Sequence, residues 1–268
     1  MAFPHIKACR SLAIVATLVA VPGLAQAVPF TSDLTANGAS SIDLVNSTVP
    51  TGNATQTGNI RLTSGGATTQ SNFTGLTLSP SALNGSLSDI NDGAGMHADL
   101  AGTGSNGTSE NQFLFGDFSL GLANTSATIS YTVTLRLGTS YVNLSALGGD
   151  AFVLFDVSVK DQLNNELLFS HRLVDTINPN ETSDSASNSF DVVLNPGASA
   201  SYAGVVSARG GAFSPDGSYS GGLDTFFSIV NVQAQNVGPN PLPEPMSTLL
   251  LGLGLTGLAW VRRLTARH

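Results

Sequence analysis

The sequence contains few charged residues, one cysteine and one tryptophan. Only 10% of its 268 residues are charged, whereas soluble proteins average roughly 25%, so serine, threonine, asparagine and glycine must solvate most of the surface. Cys9 and Trp260 lie in terminal segments that we predict to be removed. The remaining chain then has no disulfide, no thiolate nucleophile and no cysteine metal site. With 41% apolar residues it can still bury a core, which argues against disorder.

The N-terminal segment, residues 1–27, has the pattern of a secretory signal peptide. It begins with two cations and no acid, continues with the apolar run 11–24, and closes with Ala25 and Ala27 on either side of a single residue. A basic start, a short apolar stretch and a small-x-small site together define such a signal. We predict that signal peptidase cleaves after Ala27.

The C-terminal segment contains a second apolar run, residues 246–261. A proline-rich linker, 236–243, precedes it, and the basic residues that follow are Arg262, Arg263 and Arg267. As a helix the run measures about 24 Å, against roughly 30 Å of hydrocarbon in a bilayer. We predict a short transmembrane helix whose arginines stay on the cytoplasmic side, as the positive-inside rule requires.

Three features of this tail occur in a characteristic order: Pro243, Glu244 and Pro245, then a leucine- and glycine-rich helix, then the basic cluster. In this order, residues 242–268 resemble the PEP-CTERM sorting signal of exported bacterial proteins. The resemblance implies transient residence in the inner membrane, processing by an exosortase-type membrane protease, and delivery to the cell surface or the extracellular space. It implies nothing about the residues between the two terminal signals.

Removing both signals makes the rest of the chain strongly acidic. Between residues 28 and 243 there are five cations and 17 acids, a net charge of −12. Five scattered cations cannot neutralise a run of phosphates, so nucleic acid is excluded as a partner, and docking to anionic lipid is disfavoured.

Residues 28–235 show the period-two alternation of apolar and polar residues that is typical of β-strands. Strands are predicted at 59–63, 73–78, 112–120, 129–137, 141–147, 153–160, 166–174, 190–194, 202–208 and 225–235. No amphipathic helix is predicted between them. The fold class is therefore all-β: a single antiparallel β-sandwich or jelly-roll-like domain, flanked by the N-terminal signal helix and the C-terminal transmembrane helix.

The segment 36–107 is rich in glycine, serine, threonine and asparagine, and for it we expect long loops or irregular edge strands. Turn signals are predicted at Asn84-Gly85, Asn106-Gly107, Asn195-Pro196-Gly197 and Pro215-Asp216-Gly217. The G-x-G-x-x-G pattern at 102–107 is interpreted as a flexible loop, because the sequence predicts neither the preceding strand nor the following helix that a dinucleotide site needs.

Acidic and amide residues cluster around His97, namely Asp89, Asn91, Asp92 and Asp99. Such oxygen ligands can hold Ca²⁺, but an EF-hand loop starting at Asp89 lacks the required glycine and glutamate. We interpret the cluster as a surface loop with solvated acids, and calcium at another acidic edge stays open.

Other candidate residues are isolated. His171 is predicted to be an ordinary strand histidine, and no nucleophile elbow accompanies either histidine. Tyr141, Tyr202 and Tyr219 can be sugar-stacking platforms, although tyrosines at strand ends are the simpler interpretation. No catalytic, cofactor-binding or metal-binding residue is assigned.

Together these patterns predict an exported, non-enzymatic protein without a cofactor. The leading hypothesis is a structural or adhesive component of the cell surface or matrix, associated with exopolysaccharide. A Ca²⁺-dependent carbohydrate-binding module is the alternative, and a secreted polysaccharide hydrolase is the third hypothesis, since 17 acids offer many possible carboxylate pairs.

Overall fold

A computed structural model describes residues 30–76, 81–105, 107–177, 181–184 and 188–238. These residues form an all-β structure of thirteen strands and no helix. Accordingly, none of them belongs to a helix of the length and apolarity that a membrane crossing requires. The predicted signal peptide, the Pro243-Glu244-Pro245 motif, the helix 246–261 and the basic cluster lie outside the described residues.

The strands are, in chain order, β1 (Leu34–Ile42), β2 (Thr55–Ser64), β3 (Ala67–Thr74), β4 (Leu83–Leu87), β5 (Gly93–Thr103), β6 (Ser109–Asn124), β7 (Ile129–Leu147), β8 (Ala151–Asp161), β9 (Glu166–Asp175), β10 (Glu181–Asp184), β11 (Ser189–Leu194), β12 (Ser199–Ala212) and β13 (Ser218–Asn236). A seven-stranded sheet has the order β10-β9-β8-β12-β6-β1-β4, and a six-stranded sheet has the order β11-β7-β13-β5-β2-β3. All their pairings are antiparallel.

The two sheets bury their inner faces against each other, as in a β-sandwich. Aromatic rings meet between the layers: the Phe118 and Phe227 centroids are 6.1 Å apart, and those of Tyr141 and Phe155 are 6.4 Å apart. Phe155 and Phe227 are fully buried. The all-β prediction is confirmed, and the core between the sheets is built from residues along nearly the whole described chain.

The alternating segments form strands where the sequence predicts them. In β8 the buried residues Val153, Phe155 and Val157 alternate with half-buried residues, because successive side chains of a strand point to opposite faces. β8 continues into β9 through the predicted hairpin, where the Asn164 N–H donates to the Asp161 carbonyl at 2.9 Å. The predicted strands 129–137 and 141–147 join into the single nineteen-residue β7.

The expectation of long loops or irregular edge strands in residues 36–107 is right only in part: residues 43–54 are a long connection and β3 and β4 are edge strands, but most of the segment is regular strand. This segment supplies five strands, and β5 lies in the middle of the six-stranded sheet between β13 and β2. The predicted turn at Asn84-Gly85 lies inside β4, which pairs with β1. Alternation is present here as well, since Ala94, Met96, Ala98 and Leu100 are buried, but the small inward alanines and the outward Gly95 obscure it. The strand predicted at 73–78 is displaced towards the N-terminus: the observed strand, β3, ends at Thr74.

Both ends of the described chain leave the same end of the molecule. The Phe30 N–H donates to the Ser88 carbonyl, and the Val237 N–H donates to the Thr128 carbonyl, both at 2.9 Å. Thr31 lies beside them, with its hydroxyl hydrogen-bonded to the Tyr131 hydroxyl. We call this the terminal end of the sandwich.

Candidate functional site

The outer face of the six-stranded sheet carries a groove of about 430 Å³. Its lining is Arg61 and Thr63 from β2, Thr68 and Gln70 from β3, and Phe226 from β13. We refer to these five residues as the Arg61 groove. It combines one aromatic ring, one cation and three hydrogen-bonding side chains on an open surface.

Strand register explains why these side chains meet. Arg61 pairs with Gly95 of β5, and Gly95 pairs with Phe226. A Cβ atom at Gly95 would lie 2.1 Å from the Thr225 carbonyl oxygen and 3.0 Å from the Phe226 ring. The missing side chain therefore lets Phe226 cover β5 and lets the Arg61 guanidinium lie 5.3 Å from the ring centroid, a cation–π distance.

The groove is bordered by one ion pair and the contacts of a neighbouring histidine. Arg61 binds the Asp224 carboxylate and donates to the Thr225 carbonyl at 3.3 Å. His97 Nε2 lies 2.8 Å from Asp99 Oδ2, and its Nδ1 lies 3.8 Å from Asp224 Oδ2. The Asp224 and Asp99 carboxylates have further lone pairs that can accept hydrogen bonds from a ligand. Neither is a free acid or base, because Asp224 is already bound to Arg61 and Asp99 to His97.

A second aromatic group lies on the outer face of the seven-stranded sheet. The Arg209 guanidinium carbon is 4.6 Å from the Phe113 ring centroid and 6.0 Å from that of Phe152. Phe113 stacks on Phe115 at 5.5 Å, and Phe152 stacks on Phe213 at 6.1 Å. We call these five residues the Arg209 row. They lie on the opposite side of the sandwich from the Arg61 groove, and Arg209 is their cation. Phe213 is 40% exposed.

The predicted acidic cluster divides into two unrelated environments. Asp99 points outward from β5, whereas Asp92 is completely buried. The Asp92 carboxylate accepts four backbone N–H groups, from Gly65 and Ser88 at 2.8 Å, from Asp89 at 2.9 Å and from Gly66 at 3.1 Å. The interpretation of solvated acids is therefore wrong for Asp92, which joins two turns.

No group of three or more histidine, cysteine or acidic residues that could hold a metal ion occurs within the described ranges. The acidic residues around His97 that were weighed as calcium ligands therefore form no such group. Asn91 instead adopts a positive φ of 74° and its N–H donates to the Ile229 carbonyl at 2.6 Å, so its backbone shapes the loop that leads into β5.

His171 lies on β9 as predicted, and its Nδ1 is 2.6 Å from Asp156 Oδ1 on the neighbouring β8. The prediction that no strand precedes the glycine pattern at 102–107 is wrong, since Gly102 and Thr103 belong to β5. The chain then turns, with the Gly107 N–H donating to the Gly104 carbonyl at 3.0 Å, and enters a strand rather than a helix.

The three tyrosines weighed as sugar platforms make internal contacts. Tyr219 is 3% exposed and accepts a hydrogen bond at 2.8 Å from the Asn111 amide. Burial raises the pKa of Tyr219 to about 12. Tyr202 is also buried, and the Tyr141 hydroxyl lies 2.6 Å from that of Ser170. With its hydroxyl and ring committed to internal contacts, Tyr219 has no face to offer a sugar.

Sequence reasoning missed the residues that form the two surface groups. In the sequence Arg61 is one of five scattered cations, and Phe226 belongs to the predicted strand 225–235. One usable signal existed: in β6, Phe113 and Phe115 alternate with Leu114 and so fall on the polar face. Large aromatic residues on both faces of one strand indicate that the outer face takes part in binding or in packing against another group.

No protein-family model matches the chain, and no curated protein sequence matches it either.

Proposed function

We propose that this protein is an exported, non-enzymatic component of the cell surface or extracellular matrix that binds neutral polysaccharide in the Arg61 groove. The signal peptide 1–27 and the PEP-CTERM-like segment 242–268 support export, with the helix 246–261 spanning the inner membrane until an exosortase-type protease removes it. The observation that carries the binding proposal is the Phe226 ring beside hydrogen-bonding side chains in an open groove.

The chemistry of the groove matches a sugar. The apolar face of a pyranose ring packs on an aromatic ring, while its hydroxyls require donors and acceptors close by. Phe226 supplies the ring, and Thr63, Thr68 and Gln70 supply hydroxyl and amide groups. Arg61 is already neutralised by Asp224, and the chain between the two signals has a net charge of −12. Both facts favour an uncharged ligand over an acidic one.

The same contacts favour binding over hydrolysis. Asp99 is paired with His97, and Asp224 with Arg61. The two carboxylates therefore do not form a pair in which one is a free general acid and the other a free base or nucleophile. Glycoside hydrolysis requires such a pair, about 5–9.5 Å apart across the scissile bond. The binding function needs no calcium in this arrangement, which separates it from the Ca²⁺-dependent alternative.

Retention on the polysaccharide produced by the source cells tests the proposal. In affinity electrophoresis we expect Phe226→Ala to weaken retention at least tenfold, about 1.4 kcal/mol, because the stacking surface is lost. Phe152→Ala, on the opposite sheet, is the matched control and leaves retention unchanged. Equal retention of Phe226→Ala and the unmutated protein would contradict the proposal, and loss of retention in EDTA would favour the calcium-dependent module.

Mass spectrometry of the protein recovered from the cell surface tests export separately. The expected N-terminus is Val28, and the expected C-terminus lies near Pro243. An intact chain recovered from the cytoplasm would overturn the localisation.

A further inference from the structure

β3 is the last strand of the six-stranded sheet, and one row of its backbone groups faces away from β2. The Gly75 N–H donates to the Gln56 carbonyl, and hydrogen-bonded and non-hydrogen-bonded pairs alternate along an antiparallel ladder. In the register of the two strands, Phe73, Ser71 and Thr69 then bond to β2, and the N–H and C=O groups of Asn72, Gln70 and Thr68 point outward. Among the described residues these outward groups have no backbone partner.

This edge lacks the features by which proteins protect an open strand. Charged side chains, proline, bulges and short length are the usual safeguards. β3 has eight residues, no charge and no proline, and its register with β2 is unbroken. The other edges differ, since β10 contains Glu181 and Asp184, β11 contains Asp191, and β4 has only five residues.

We propose that β3 is an assembly edge, at which two copies of this protein pair through antiparallel β3 strands across a two-fold axis. An isologous contact brings together identical surfaces, so in a chain with a net charge of −12 between its signals it must avoid the acids. β3 is the longest acid-free edge among the described strands. A second copy presents the same unpaired row of N–H and C=O groups and completes the hydrogen bonds of both.

The small area buried between two β3 strands makes the dimer weak. Two eight-residue strands bury far less than the roughly 1,600 Å² of a standard stable interface, so pairing is reversible and depends on concentration. Such an equilibrium suits a protein that is concentrated at a surface or in a matrix. The pairing itself does not require that the Arg61 groove bind sugar.

The pairing also joins two grooves. Thr68 and Gln70 belong both to the assembly edge and to the Arg61 groove. Antiparallel pairing across the two-fold axis places the second groove directly beyond the first on one continuous twelve-stranded sheet. This consequence rests on the proposed function, and it predicts that paired copies engage longer glycans than single copies do.

Sedimentation velocity on the full-length protein tests the pairing. The unmutated protein is expected to shift from monomer to dimer as its concentration rises. Asn72→Pro removes one outward N–H and no bond to β2, so it weakens dimerisation at least tenfold while the melting temperature stays nearly unchanged. Ser71→Pro is the matched control, since it removes a bond to Ile60 of β2 and lowers the melting temperature.

Asn72→Glu provides a second variant that leaves the backbone intact. It places like charges on both sides of the two-fold axis, and we expect dimerisation to be lost at low salt and partly restored at high salt. A monomer at every concentration, or dimers of equal strength in the unmutated protein, Asn72→Pro and Asn72→Glu, would overturn the proposal. Failure of Phe226→Ala to lose sugar retention leaves this test unaffected, so the two proposals fail independently.

Discussion

The carboxylate of Asp92 joins two turns that are distant in sequence. It accepts N–H groups from Gly65 and Gly66 in the β2–β3 turn and from Ser88 and Asp89 before β5. A buried charge is costly unless it is fully hydrogen-bonded, and four donors meet that requirement. The Gly65 and Gly66 φ angles of 58° and 74° allow the turn to aim both N–H groups at one carboxylate.

Replacing the Asp92 carboxylate with an amide places a hydrogen-bond donor against the backbone N–H donors that surround it. In Asp92→Asn the amide NH₂ meets backbone N–H groups, and we expect a loss of about 3 kcal/mol in the free energy of unfolding, measured by urea titration. Asp89→Asn, in the same loop, is the control and changes it by less than about 0.5 kcal/mol. A small effect of Asp92→Asn would mean that the turns hold their positions without the carboxylate.

Two neighbouring acids at the end of β1 respond to pH with opposite sign. Burial, and then repulsion from Asp43, raise the pKa of Asp117. Hydrogen bonds from the side chain and backbone of Asn46 lower the pKa of Asp43. The ionised form of Asp117 therefore destabilises the fold above its unfolded pKa, whereas the ionised form of Asp43 stabilises the fold and this gain disappears as the pH falls.

Neutralising each acid separates the two effects. At pH 7 we expect Asp117→Asn to raise the melting temperature and Asp43→Asn to lower it. As the pH falls both differences shrink, that of Asp117→Asn first because the pKa of Asp117 is raised, and that of Asp43→Asn later because the pKa of Asp43 is lowered. Thermal unfolding followed by circular dichroism across an acid pH series measures this, and a melting temperature of Asp117→Asn below that of the unmutated protein at pH 7 would refute the sign.

At the scale of elements, glycine in the outer face of the six-stranded sheet has two different roles. At Gly95 a Cβ atom would lie 2.1 Å from the Thr225 carbonyl oxygen, closer than any real contact, whereas at Gly138 the nearest described atom is the Phe226 carbonyl oxygen at 3.7 Å. Gly95 is thus required by the close approach of β13, while Gly138 occupies open space on β7.

This contrast makes a matched pair of substitutions. We expect Gly95→Ala to destabilise the fold by about 2 kcal/mol or more, as overpacking does, and to weaken sugar retention because Phe226 is displaced. Gly138→Ala is neutral or slightly stabilising, since glycine in a strand costs conformational entropy. Denaturant unfolding and affinity electrophoresis provide the two readouts, and equal stability of both variants would contradict the assigned role of Gly95.

The sequence was sufficient to predict strands whose two faces differ strongly in polarity. β8 and the first half of β7 alternate large apolar residues with polar ones, and both are strands at the predicted place. In β5 the inward residues are Ala94, Met96 and Ala98, and the outward ones include glycines. Periodicity is weak when both faces carry small side chains, so the sequence predicts long loops or irregular edge strands where the central strand β5 lies.

The candidate site was harder to predict for a different reason. Arg61 and Phe226 are 165 positions apart in the sequence and meet only because β5 brings β2 and β13 to either side of Gly95. Strand order depends on long-range pairing, which local patterns do not encode. The same limit hid the four donors of Asp92, since a carboxylate in a polar segment looks solvated until its neighbours are known.

At the scale of the whole molecule, stability rests on packing. Cys9 is the only cysteine in the chain and lies in the predicted signal peptide, so the sandwich has no disulfide. Instead, both sheets contribute fully buried large side chains, among them Phe155 and Leu114 from one sheet and Phe227 and Leu135 from the other. The glycine-rich segment 36–107 is part of this core through Ile60 and Met96, so its removal would expose the inner face of the seven-stranded sheet, against which β5 packs.

Phe30 and Val237 both leave the sandwich at its terminal end. The chain therefore enters and leaves the sandwich at one end. A tether on either terminal segment is attached at that end, and the opposite end of the sandwich points away from the tether. There the β1–β2 loop presents Val45 and Val49, 92% and 60% exposed, and β7 ends at Leu147, 63% exposed. β3 runs along the side of the sandwich between its two ends, so antiparallel pairing of two β3 strands inverts one copy relative to the other and places their terminal ends at opposite ends of the pair.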